Sequence, residues 1–324
     1  MRLFPFTRPS LGLSIGAETL GLVEVCRGWR APSLRRRAER TLPAGLLRLS
    51  ASESNVADVS ALAKEISALL NSQGAVTRPV PISLSLPDRC ARVALLEFDT
   101  LPQKSGELDR LIRWRFQKDL NMPVTELRLA YQVFQPRSTH ASAEGPIRIL
   151  AVAVRANVIE PYERACELAG LIPVCVGLTS LQLFDLCRPA IEAALKTAEE
   201  CFYLYVGEGS FAFLAIRAGV PVFLRIKPLQ NGSMTGNVSA HASVTDELLA
   251  TVHFYMEREA VSGKTPALSR PLFWVNGDGR APVLPDSLGV TVLPIGWSDL
   301  CIAQASSIAP LIAGLPAFTG VIET

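Results

Sequence analysis

Hydrophobic and polar positions alternate along Leu11–Val25. Leu11, Leu13 and Ile15 are separated by Gly12 and Ser14, the run breaks over Gly16–Thr19, and Leu20, Leu22 and Val23 resume it. A period of two interrupted by a short break predicts strand, tight turn, strand. The plan returns over Phe202–Arg225, where apolar strands flank Gly207 and Gly209 and a second turn falls at Ala218–Gly219. Two like hairpins half a chain apart predict two related domains. After the first hairpin, an arginine-rich segment predicts an edge strand, and Val59, Leu62, Ile66, Leu69 and Leu70 fall at helical spacing with Asn55 as the expected N-cap. Alternating runs at Val80–Leu86, Val93–Phe98, Leu127–Phe134, Ile147–Val154 and Ile172–Val176 are interleaved with helical spacing at 108–120 and 159–169. Their order, β, β, α, β, β, α, β, predicts a compact α+β unit set inside the first domain. A helix over Leu181–Leu195 should break or restart at Pro189. Downstream, the spacing predicts a helix starting near Ser243 and Asp246, then strands at Pro271–Val275 and Val290–Leu293.

Composition narrows the function classes. The chain has 324 residues, 49% hydrophobic and 19% charged, enough to fill two cores of about 150 residues each. A net charge of +2 produces no overall field that would recruit nucleic acid. The local exception is Arg27–Arg40, with six arginines against Glu39. That run reads as a charged, protected sheet edge, with attraction to an anionic membrane surface as the alternative. Seven cysteines form no CxxC pair and read as small core residues under reducing conditions. Arg8 and Glu18 interrupt any signal-peptide core. Cys301–Ile322 is uncharged, but Gln304, Ser306, Pro310 and Pro316 make it a poor apolar span, so it is expected to be a helix closing the last domain.

Metal and nucleophile patterns are sparse. His140, His241 and His253 are far apart in sequence and form no HExxH, and Ser210 sits in no GxSxG elbow. Gly263-Lys264-Thr265 has the tail of a P-loop, but the first glycine would have to stand at position 258, which is Arg258.

The ordered segments resemble the actin-like PilM proteins of type IV pilus assembly, relatives of the cell-division protein FtsA. The resemblance is carried by Ser14–Val25 (SIGAETLGLVEV) for the first hairpin and by Tyr205–Gly207 with Gly219–Arg225 (GVPVFLR) for the second. It is carried as well by Leu127–Phe134 (LRLAYQVF) and Glu163–Phe184 (ERACELAGLIPVCVGLTSLQLF), and it spans nearly the whole chain. It implies an α/β, actin-like (ribonuclease H-like) two-domain fold with an inserted small α+β subdomain. The first domain would comprise residues 1–79 and the return helices 178–199, the insert 80–177, and the second domain 200–324.

By the same resemblance, the nucleotide cleft of the family would fall at Ser14, Gly16, Thr19, Tyr205, Gly207, Gly277 and Gly279. The family carries a magnesium-binding aspartate at the head of each hairpin, where this chain has Ser14 and Tyr205, and its diglycine is here split by Asp278. Loss of both hard oxygen ligands leads us to expect a pseudo-ATPase with no catalytic residues, no resident metal and no cofactor. The alternative is an active ATPase that binds Mg-ATP in the interdomain cleft. The implied partner is a PilN-like single-span inner-membrane protein, bound through its N-terminal cytoplasmic tail. Self-association and contact with anionic lipid through Arg27–Arg40 accompany that reading, with no nucleic acid. The expected location is cytoplasmic, held at the inner face of the inner membrane through the partner.

Overall fold

The computed structural model describes residues 9–26, 33–72, 79–102, 104–120, 126–134, 146–196, 198–207, 209–229, 238–261, 270–275 and 281–295. In chain order the elements are β1 (Leu11–Ile15), β2 (Thr19–Cys26), β3 (Ser33–Thr41), α1 (Val59–Asn71), β4 (Val80–Leu86), β5 (Arg92–Phe98), α2 (Ser105–Leu120), β6 (Leu127–Phe134), β7 (Ile147–Arg155), α3 (Ala156–Leu168), β8 (Leu171–Leu178) and α4 (Thr179–Ala194). They continue with β9 (Glu200–Gly207), β10 (Ser210–Arg217), β11 (Val220–Pro228), α5 (Val238–Val261), β12 (Arg270–Val275) and β13 (Val290–Pro294). Two compact units result. One is built on residues up to Cys90 with Asn157–Arg188, the other on Ala91–Ala156 with Pro189–Ile295.

Each unit holds a five-stranded sheet, and the two sheets are wired alike, in the orders β3-β2-β1-β4-β8 and β11-β10-β9-β12-β13. In the first, β1 runs antiparallel to β2 and parallel to β4. In the second, β9 runs antiparallel to β10 and parallel to β12. Parallel neighbours require a crossover, and α1 between β3 and β4 matches α5 between β11 and β12.

The alternation in β1 separates two buried faces rather than a wet and a dry one. All five of its residues are buried. Leu11, Leu13 and Ile15 share a face with their parallel partners Ile82 and Leu84, while Gly12 and Ser14 lie beside Ser83 and Ser85 on the other. Leu62, Ile66, Leu69 and Leu70 of α1 are buried at the spacing read from sequence. The second sheet has an aromatic core in which Phe202, Phe213, Phe223, Tyr255 and Trp274 pack together. Phe202 meets Tyr255 edge-on with ring centroids 5.7 Å apart, the geometry favoured by ring quadrupoles. Ala218, with φ 50°, and Gly219, with φ 79°, form the tight β10–β11 turn, as a two-residue hairpin loop requires.

The insert is smaller than expected from 80–177. Only β5, β7 and β6 form the separate three-stranded sheet, in that order, closed by Leu108, Ile112 and Phe116 of α2. Strand β4 pairs with β1 and β8 pairs with β4, both parallel, so both ends of the predicted insert belong to the first sheet. The reason is topological: α3 immediately precedes β8 and supplies the crossover that places it parallel to β4. Three local expectations also change. Asp58, not Asn55, caps α1, its Oδ1 accepting from the N–H groups of Ser60 and Ala61 at 2.8 and 3.0 Å. Asn55 is instead buried, accepting from Ser50 N–H at 2.7 Å and donating to Cys90 Sγ at 3.2 Å. Helix α4 runs through Pro189. Helix α5 starts at Val238, earlier than the buried Val244, Leu248, Val252 and Tyr255 indicate, because periodicity marks only the packed part of a helix. The expected C-terminal helix, Cys301–Ile322, lies outside the described residues.

Candidate functional site

The two hairpin tips are the positions singled out by sequence. In the first, Gly16 N–H donates to Thr19 C=O at 2.8 Å, which closes a two-residue loop of Ala17 and Glu18. Ser14 lies three residues before that loop, buried, between Gly21 of β2 and Ser85 of β4. Ser14, Gly16 and Thr19 therefore gather at one tip, with the Glu18 side chain exposed to solvent. In the second hairpin, Gly207 faces Ser210 across the loop, and Gly209 takes φ 70°. Tyr205 occupies the position that matches Ser14, between Ala212 of β10 and Val275 of β12.

Tyr205 and Gly207 share a strand face, and the tyrosine ring folds along the strand onto the glycine. A Cβ at Gly207 would lie 2.3 Å from Tyr205 Oη and 2.7 Å from Cζ. The phenol, only 1% exposed, thus fills the place at the strand head that a metal and its waters would need. Ser14 contributes a neutral hydroxyl. Neither position presents a carboxylate, so these two residues do not fit a magnesium–nucleotide group held in the manner the resemblance implies. Gly277 and Gly279, expected under an adenosine, lie outside the described residues, just beyond β12.

Beside the first tip, at the carboxyl ends of the parallel strands, the structure assembles a polar cluster that sequence reading missed. Thr179 Oγ1 donates to Leu86 C=O at 3.1 Å, which leaves Ser85 Oγ, also 3.1 Å away, as donor to Thr179. Asp88 Oδ1 accepts from Ser180 N–H at 3.3 Å and from Ser180 Oγ at 2.8 Å. The acid therefore caps the N-terminus of α4, where backbone N–H groups and the helix dipole favour negative charge. Its other oxygen, Oδ2, is buried without a hydrogen-bond partner, as is Ser83 Oγ. Burial pushes the Asp88 carboxyl up to about 6, with the two Ser180 hydrogen bonds pulling against the shift. Thr179-Ser180 ahead of an apolar periodic run was a legible cap signal; nothing local marked Asp88 as its partner.

A second buried network lies at the opposite end of β9. Glu200 accepts from Arg270 Nε at 2.7 Å, from Arg217 Nη2 at 2.8 Å and from the Tyr255 hydroxyl. Arg217 also donates to Glu259 at 2.6 Å. Burial, then the hydrogen bond to Glu200, raises the Tyr255 hydroxyl above its ordinary range. Arg270 and Glu200 are 70 residues apart in sequence; the parallel β9–β12 pairing brings them together.

On the β3 edge, Arg35 and Arg36 both pair with Glu24 and Arg40 pairs with Glu65, so much of the basic run is matched within the fold. Arg27 and Arg30 lie outside the described residues. Cys90, Cys166, Cys187 and Cys201 are buried and Cys175 is exposed, all five as free thiols. Among the described residues, no helix is long and apolar enough to cross a membrane.

No protein-family model and no curated protein matches the sequence. Among solved structures, one described as a PilM-PilN type IV pilus biogenesis complex aligns over 96% of this chain and 97% of its own, with TM-score 0.68 and 22% identity. The chain is PilM-like and actin-like in fold. Two weaker likenesses accompany it. One is a Bacteroides thetaiotaomicron protein described as having an actin-like ATPase fold and unknown function, with TM-score 0.46, 9% identity, and 90% and 94% of the two chains covered. The other is the cytoplasmic domain of EpsL, an inner membrane component of the type II secretion system of Vibrio cholerae, with TM-score 0.46, 10% identity, and 90% and 91% covered. The two sheets of identical order form an internal repeat within this PilM-like fold.

Proposed function

We propose that this chain is a scaffold of a type IV pilus or related secretion machine. It binds the N-terminal cytoplasmic tail of a PilN-like single-span inner-membrane protein and does not hydrolyse ATP. The observation that carries the second half is the pair of strand heads. Ser14 and Tyr205 stand where an actin-like ATPase needs carboxylates, and the Tyr205 ring lies against Gly207. The first half is supported by the near end-to-end likeness to the PilM-PilN complex. Recognition of a tail by such a fold uses backbone pairing at a strand edge and pockets for alternate side chains. In this reading the protein is cytoplasmic and is held at the membrane by its partner, with the arginine-rich β3 edge facing anionic lipid or a second copy.

The test is calorimetric titration with Mg-ATP and, separately, with a synthetic peptide of the cytoplasmic N-terminus of the PilN-like protein from the same cell. Heat with the peptide and none with nucleotide is expected. Saturable Mg-ATP binding with phosphate release would overturn the pseudo-ATPase reading, and absence of peptide heat would overturn the partner.

A further inference from the structure

Helix α2 carries one face left over from packing. Leu108, Ile112 and Phe116 are buried against the three-stranded sheet, four residues apart and so nearly in line along the helix. Arg110, Trp114 and Lys118 repeat that spacing two residues further on, about 200° round at roughly 100° per residue, on the side away from the sheet. All three are exposed, and Trp114 keeps 49% of its surface in solvent. Lys118 Nζ lies 4.9 Å from the centre of the Trp114 ring, a cation–π contact. The stripe thus reads cation, indole, cation along a convex helix surface.

Its two cations are the ones that ion pairing leaves over. Along residues 104–120, Lys104, Arg110, Arg113, Arg115 and Lys118 meet three acids, Glu107, Asp109 and Asp119. Each acid is matched: Lys104 Nζ is 3.7 Å from Glu107, Arg113 Nε 2.7 Å from Asp109 and Arg115 Nε 2.8 Å from Asp119. Arg110 and Lys118 remain. Arg110 donates to the C=O of Gly106 at 3.1 Å, and neither cation has an acidic partner among the described residues. Glu107, which shares the outward side, is the acid that Lys104 matches. The β3 edge differs, because its Arg35, Arg36 and Arg40 are paired with Glu24 and Glu65.

We propose that this stripe of α2 rests on an anionic membrane surface. A bilayer is planar and accepts a convex helix face without a groove, whereas a peptide laid on one such face would bury little. The indole suits the headgroup level, where its ring is in apolar surroundings and its N–H is wet. The long stems of Arg110 and Lys118 let their charges reach lipid phosphates. Each cation strengthens such a contact by only about fivefold. The stripe therefore orients a chain that another tether already holds at the membrane, where the effective concentration of lipid is high. The inference rests on the membrane location proposed above, not on the identity of the partner.

The test holds the full chain on vesicles through a C-terminal hexahistidine tag and a trace of nickel-chelating lipid, and reads quenching of tryptophan by acyl chains brominated near the headgroup. Quenching is expected on phosphatidylglycerol mixed equally with phosphatidylcholine, and not on phosphatidylcholine alone. It should disappear in Trp114→Phe and at high salt. Arg110→Gln combined with Lys118→Gln should lower the ratio of contacted to free chains roughly 25-fold, with an unchanged circular dichroism spectrum because both positions are exposed. Absence of quenching on the anionic vesicles, equal quenching on the neutral ones, or quenching that survives Trp114→Phe overturns the proposal. So does a contact that ignores the double replacement but is lost in Arg35→Gln, which would assign the membrane face to β3. A soluble polyglutamate that binds the untethered chain more tightly than anionic vesicles do would assign the stripe to an acidic protein and overturn it too. The tag replaces the pilus partner as tether, so this result and the tail-peptide titration of the preceding section can each fail alone.

Discussion

Replacing Glu200 by glutamine should unfold the second unit far more readily than its conservative appearance suggests. Three donors converge on the two carboxylate oxygens: Arg270 Nε, Arg217 Nη2 and the Tyr255 hydroxyl. Glutamine keeps one acceptor oxygen and turns an NH₂ group toward at least one of those donors. The loss is uneven. The Arg217 side chain is 31% exposed and keeps Glu259, whereas Arg270 is 6% exposed, so an uncompensated charge at Arg270 dominates. Breaking a buried pair from one side costs about 3–5 kcal/mol, a large share of the roughly 5–15 kcal/mol that holds a domain folded. Urea denaturation followed by tryptophan fluorescence reads this directly, since Trp274 sits in the same core. The midpoint should fall while the slope stays constant. The double replacement Glu200→Leu with Arg270→Met removes both charges and should cost at least about 1 kcal/mol less than Glu200→Gln alone. A Glu200→Gln cost below about 1 kcal/mol, or a double variant no better than the single one, would refute the view that Arg270 depends on this carboxylate.

Two further outcomes concern the hairpin ends. Asp88 has a folded-state pKa of about 6 against 3.8 for the free group, so the folded state holds the proton more tightly than the unfolded one. The stability it contributes is present in full below about pH 4 and is lost as pH rises through about 6. It amounts to about 3 kcal/mol. Asp88→Asn should abolish that component, seen as a denaturant-midpoint difference between variant and wild type that changes from pH 4 to pH 8; a difference independent of pH would contradict it. At the second tip, Gly207→Ala should destabilise by about 1–3 kcal/mol, because the new methyl meets the Tyr205 ring. In a Tyr205→Ala background the same substitution should cost under about 1 kcal/mol. Equal costs in the two backgrounds, measured as shifts in thermal midpoint, would mean that the tyrosine is not what occupies that space.

These predictions give the strand heads a consistent physical character. A tyrosine packed on Gly207 and a serine among Ser83, Ser85 and Thr179 make two closed, largely neutral tips, which is the basis of the proposed scaffold role. The nearby carboxylate, Asp88, is turned inward to cap α4.

Much of the fold was legible because its signals are local. The period-two runs of β1 and β2, the continuous apolar runs of β9 and β10, the Ala218–Gly219 turn and the helical spacing of α1 follow from which side chains suit one backbone conformation and its buried faces. The repeat of two hairpins could be read from the same patterns, and the two identical sheet orders match it. Tertiary structure alone decided which strands became neighbours. The runs at Val80–Leu86 and Ile172–Val176 look like any others in sequence, and only parallel pairing through α3 assigns them to the first sheet rather than to the insert. It also decided the polar interior. Asn55 carries a cap residue's chemistry but is drawn to Cys90, and Asp58 caps instead. Asp88 meets Ser180, and Glu200 meets Arg270, across separations of 92 and 70 residues. The physical reason is that propensity and periodicity act over a turn or a strand pair. Burial of a charge is tolerated only where the folded chain delivers a partner to it, and no local pattern encodes that meeting.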